Sequence, residues 1–156
     1  MLLPLLLLAQ AATTPMAPDM PMPEPVCVRA GDLPPAFAKW NAAPSPMLEV
    51  GTPYIATGRD PLAIKPATGA TSGHAGKAAT ATFLVLKAGI YSIGLSTGAW
   101  IDLVAKGKAL TSVAHGHGPI CTGLRKMVDF RLAPGSYTLQ LAGMKADTTK
   151  VMIVRK

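Results

Sequence analysis

From Met47 onward, apolar and polar residues alternate with a period of two, in short runs broken by turn residues. Val128, Phe130 and Leu132 fall on one side of such a run, Asp129 and Arg131 on the other. Tyr137, Leu139 and Leu141 alternate with Thr138 and Gln140; Tyr91, Ile93 and Leu95 alternate with Ser92 and Gly94. Successive side chains of a strand point to opposite faces, so this period predicts strands with one buried face. Phe83–Leu86 and Val151–Val154 are continuous apolar runs, the pattern of strands that are central in a sheet or covered on both faces. The expected strands are Thr80–Leu86, Ile90–Ser96, Ala99–Ala105, Ala109–Ala114, Arg125–Leu132, Ser136–Ala142 and Lys150–Arg155. Turn residues separate them at Lys87-Ala88-Gly89, Thr97-Gly98, Lys106-Gly107-Lys108 and Ala133-Pro134-Gly135. A β-rich tract over Met47–Thr57, broken at Gly51-Thr52-Pro53, and a short piece at Leu62–Lys65 precede them. Ala67–Lys77, rich in Gly, Thr and Ser, reads as a mobile loop carrying His74. Short strands with turn signals about every 8–12 residues predict an all-β domain, an antiparallel, jelly-roll-like β-sandwich over residues 47–156.

The first third follows other rules. Residues 1–11 are an apolar run ending in Ala9-x-Ala11, the pattern of a cleaved export signal. The run is shorter than the ~20 residues that span a bilayer, and no other segment is long and apolar enough for a membrane span. Residues 12–46 form a Pro/Met-rich leader. Its alternating prolines favour extended, disordered chain over packed structure, and Met16, Met20 and Met22 are soft thioether donors of the kind Cu(I) accepts. Within it, Pro34 and Pro35 suit the start of a short helical turn. Phe37 and Trp40, three apart, would share a face and dock on the domain.

An export signal sets the compartment as periplasmic or secreted and makes nucleic acid an unsuitable partner. The formal net charge of +7 comes from scattered basic residues. Such a surface is solvated, and it suits an anionic envelope component or an acidic small ligand. The two cysteines, Cys27 and Cys121, are expected to form a disulfide in an oxidising compartment; two buried thiols are the alternative. Closing so long a loop stabilises a fold by up to ~4–5 kcal/mol in the chain-entropy picture.

Candidate chemistry is concentrated between Ala114 and Lys126, in a Gly/Pro-rich loop holding His115, His117 and Cys121. On a strand end, His115 and His117 would face one way. A non-haem iron site needs two imidazoles and a carboxylate. Asp102 is the candidate carboxylate, with Asp129 a second choice, and His74 a third imidazole. The alternative is that both imidazoles bond to loop backbone. Asp102 and Asp129 lie in apolar strands, where a carboxylate needs a partner; Arg125, Lys126 and Arg131 are the candidates. Trp100, Arg125 and Lys126 form the expected ligand surface. Ser112 with His115 and Asp102 makes a nominal triad, without the strained turn that presents a nucleophile.

Two resemblances add to this reading. Phe83–Ile93, with its Ala88-Gly89-Ile90-Tyr91, then Ala99–Val104, then Leu132-Ala133-Pro134-Gly135-Ser136-Tyr137, resembles the bacterial pre-peptidase C-terminal β-sandwich. That resemblance implies a non-catalytic module. Gly98–Asp102, Ala114–Pro119 with Cys121, and Val128–Gly135 resemble a group of small exported proteobacterial proteins, some of which carry the name homogentisate 1,2-dioxygenase. That one implies Fe(II) or another divalent transition metal on His115 and His117. The expected function is a non-enzymatic exported module that needs no cofactor and binds a ligand or envelope component. The alternative is a small metal-binding protein or iron dioxygenase.

Overall fold

The structure is a computed structural model, and it describes residues 31–65 and 74–156. The expected export signal, Met16, Met20, Met22, Cys27 and most of the loop expected at Ala67–Lys77 lie outside the described residues. The strands are β1 (Tyr54–Thr57), β2 (Lys77–Val85), β3 (Gly89–Leu95), β4 (Trp100–Ala105), β5 (Lys108–Ala109), β6 (Ala114–His117), β7 (Lys126–Leu132), β8 (Gly135–Met144) and β9 (Thr148–Arg155). They form a five-stranded sheet in the order β1-β9-β3-β7-β6 and a four-stranded sheet in the order β2-β8-β4-β5. Every pairing between these strands is antiparallel. The sandwich predicted by the alternation is therefore present. Among the described residues, no helix is long and apolar enough to cross a membrane.

The period-two runs become the core. Tyr91, Ile93, Leu95, Val128, Phe130 and Leu132 meet Phe83, Val85, Ile101, Leu103, Leu139 and Leu141 between the sheets. Burial of each large apolar side chain is worth roughly 1.5–3 kcal/mol. The outer face of the five-stranded sheet is covered as well. Met152 and Val154 of β9 pack with Phe37, Trp40 and Leu124 in a second buried cluster. Phe37 and Trp40 meet edge to face, their centroids 6.2 Å apart. Gly94 leaves the room for this: a Cβ there would lie 2.5 Å from Phe37 and 2.7 Å from Leu124. Val151–Val154 is thus buried on both faces, as its unbroken apolar run predicts. Phe83–Leu86 is not. Phe83 and Val85 are buried, while Leu84 and Leu86 are 59% and 76% exposed, because among the described residues nothing packs on the outer face at that end of edge strand β2.

The chain changes sheets at most connections; only β4–β5 and β6–β7 join neighbours within one sheet. Lys106 and Gly107 both take positive φ in the β4–β5 turn, which matches the twist of a tight hairpin. Two of the sheet-changing corners use the same device. After Lys87-Ala88-Gly89, the Tyr91 hydroxyl donates to the Lys87 carbonyl at 2.7 Å. After Ala133-Pro134-Gly135, the Tyr137 hydroxyl donates to the Ala133 carbonyl at 2.9 Å and accepts from its N–H at 3.2 Å. Both rings are buried, so each hydroxyl satisfies corner groups that would otherwise lack a partner. Tyr91→Phe and Tyr137→Phe are each expected to cost about 1 kcal/mol in denaturant unfolding, the net worth of a buried hydrogen bond. No loss in either variant would contradict the role given to these corners.

Candidate functional site

Core-facing Ile101 and Leu103 alternate with Trp100 and Asp102, so the latter two project from the outer face of the four-stranded sheet. Trp100 is 41% exposed. His74, just before β2, stacks on its indole with ring centroids 4.8 Å apart and planes 20° apart. Gly143, at φ +65°, makes room: a Cβ there would lie 3.1 Å from the His74 Cβ.

Lys126 reaches this pair from the other sheet. It opens β7 opposite Leu95, the last residue of β3. From Leu95 the chain crosses to β4, and hydroxyls of Ser96, Thr97 and Thr149 pin that crossing. The Lys126 ammonium donates to the Ala99 carbonyl at 2.9 Å and lies 5.2 Å from the Trp100 ring centre. Partial burial lowers its pKa from the ordinary lysine value, and the nearby Asp102 carboxylate works against that shift. The cation has therefore lost part of its hydration and is held by a carbonyl, an indole and a carboxylate. Arg125, beside it, is exposed. Of the residues expected to form a ligand surface, Trp100 and Lys126 meet here, together with His74 and Asp102, and Arg125 is the chain neighbour of Lys126.

His115 and His117 are placed differently from the expectation. They lie in edge strand β6 rather than in a loop, paired with Val128 and Lys126 of β7. Gly116 and Gly118 read as loop residues, yet Gly116 sits in register opposite Met127. The strand expected at Ala109–Ala114 is correspondingly reduced. Only Lys108–Ala109 pairs with β4, and the chain then crosses to the other sheet. Both imidazoles are exposed. Among the described residues, no three of His, Cys, Asp and Glu converge to hold a metal ion. His74 stacks on Trp100 and Asp102 acts on Lys126, so the donor set expected for iron does not gather around His115 and His117. Ser112 is exposed in the crossing before β6.

The segment after β6 is tightly built. A Cβ on Gly118 would overlap the Leu124 carbonyl oxygen, so only glycine lets the two arms meet. Thr122 bonds to the Pro119 carbonyl at 2.7 Å and to the Leu124 N–H at 3.2 Å. The Gly31 N–H donates to the Ile120 carbonyl at 2.9 Å, tying the N-terminal segment to this turn. Cys121 is not a free thiol, and Cys27, its expected partner, lies outside the described residues.

Asp129 is buried and pairs with Lys156 at 2.6 Å rather than with Arg125, Lys126 or Arg131. The pair lines a cleft of about 310 Å³ with Ser92, His115, Met127 and Phe37. A larger cleft of about 690 Å³ lies beside β2, lined by Met47, Phe83, Leu84, Leu86, Lys87 and Tyr91 among others. No motif in the sequence marks it. Its signal was the continuous run Phe83–Leu86, which puts apolar residues on both faces of a strand that has only one inner face. No family model matches this chain, and neither a curated protein nor a solved structure does.

The lowered pKa fixes a sign. Between the folded value and the ordinary 10.5, the unfolded chain keeps the Lys126 proton while the folded chain has released it. On this group's account, stability rises with pH across that window, and the ammonium is lost below pH 10.5. An NMR titration of the lysine side chains is expected to show Lys126 deprotonating before exposed lysines, and earlier still in Asp102→Asn. Titration together with the exposed lysines would contradict the desolvation.

Proposed function

We propose that the chain is an exported, non-enzymatic recognition module that binds an anionic envelope component or acidic small ligand at the Trp100 face. The observation that carries this reading is the Lys126 ammonium, partly stripped of water beside an exposed indole. A cation in that state gives up less hydration on meeting an anion, and the exposed part of the indole offers apolar surface beside it. Arg125 adds a second charge and bidentate hydrogen-bonding geometry. The net charge of +7 draws anions toward the molecule at long range. Export follows from the signal pattern at residues 1–11, and a Cys27–Cys121 disulfide belongs to the same reading. The likeness to pre-peptidase C-terminal sandwiches also favours binding over catalysis.

The two tryptophans make a test direct, because Trp40 is fully buried and Trp100 is 41% exposed. Quenching of Trp100 is expected on titration with phosphatidylglycerol vesicles or polygalacturonate, but not with phosphatidylcholine vesicles. Binding should weaken with salt and fall at least tenfold in Arg125→Gln/Lys126→Met. Undiminished binding by that double variant would overturn the proposal. Stoichiometric metal in the purified chain, lost in His115→Ala/His117→Ala, would instead support the dioxygenase reading.

A further inference from the structure

We propose that β2 is a self-association edge, through which two copies pair antiparallel and close each other's open cleft. The direction of its free backbone groups is fixed by one bridge. The Ala78 N–H and C=O exchange bonds with Arg59 at 2.9 and 2.7 Å, on the side away from β8. Along a strand these groups point alternately to either side. Thr80, Thr82 and Leu84 therefore aim theirs the same way as Ala78, onto an edge that no other described strand occupies. The irregularity in the β2–β8 register places its extra residue on β8, so the alternation along β2 is unbroken.

Beyond the Arg59 bridge, the strand's own sequence lacks the usual guards. Ala79–Val85 contains no charge, no proline and no bulge of its own, features by which folds blunt open strands. The other edges are short or covered. β5 has two residues and β6 four. β1 is flanked by the segment at Ser45, whose N–H bonds to the Pro53 carbonyl at 2.8 Å. Beside β2, exposed Leu84, Leu86 and Met47 rim the larger cleft.

A second copy fits because the edge is complementary to itself. Antiparallel pairing about a two-fold axis sets Thr82 opposite Thr82 and Thr80 opposite Leu84 of the second copy, with no like charges facing. Three such pairs exchange about six backbone hydrogen bonds. The cleft rim carries both signs, Glu49 as well as Lys87 and Arg155, so each copy offers the other a partner charge. The result is one continuous sheet across two protomers. It leaves the Trp100 face, on β4, free.

Sedimentation of the full exported chain over a wide micromolar range tests this. A monomer–dimer equilibrium is expected, tightening with salt as the +7 charge of each copy is screened. Thr82→Pro removes an N–H that β8 does not use, so the fold should persist while the dimer weakens at least tenfold. Leu84→Lys, at an exposed position, should do the same. A wild-type chain that stays monomeric overturns the proposal, as does a folded Thr82→Pro that dimerises like wild type. A monomeric chain that captures a synthetic copy of residues 78–86 would also overturn it, in favour of a foreign strand.

Discussion

The fold turns on a chain that must change sheets at nearly every corner. Two of those corners are held by a buried tyrosine hydroxyl bonded to the carbonyl four residues earlier. Because β2 pairs with β8 and β3 with β7, the two corners lie side by side: Val85 is in register with Gly135, and Gly89 with Leu132. β9 then joins the free side of β3, and β4 the free side of β8. This order places β3 between β7 and β9 and leaves β2 with one neighbour. The core and the open edge both follow from it.

The same crossing pattern builds the candidate site. β4 begins where the chain leaves β3, and β7 begins opposite the end of β3. Trp100 and Lys126 are each the first residue of a strand, and the two sheets bring them to one end of the sandwich. A lysine in the strand middle would point into the core or into bulk solvent. At this corner it lies between the layers, where the Ala99 carbonyl and the indole replace part of its water. The lowered pKa and the proposed affinity for anions share that cause.

Much of the fold was legible because alternation reports burial directly. Val128, Phe130 and Leu132 face the core as read, and the double coverage of Val151–Val154 was visible in its unbroken run. The same logic failed at Phe83–Leu86, since the exposure of Leu84 and Leu86 depends on what packs against the outer face of the sheet, which no local pattern encodes. Glycines misled at Gly116, where a short edge strand tolerates them. The Asp129–Lys156 pair was missed because it joins β7 to the chain terminus, across β3. For the site, the meeting of Trp100 and Lys126 across the two sheets depends on a crossing that the sequence pattern does not encode. The stacking of His74 on Trp100 was not foreseen, because chemical type suggested a metal ligand and only the fold places the ring.

The order of strands is the claim on which both the site and the open edge rest. Amide hydrogen exchange on the monomer tests it most directly. Slow exchange is expected at successive residues of β3 and β8, which are bonded on both sides. In β2, protection should alternate, slow at Ala81 and Phe83 and fast at Thr82 and Leu84. Uniform protection along β2 with alternation in β8 would contradict the account.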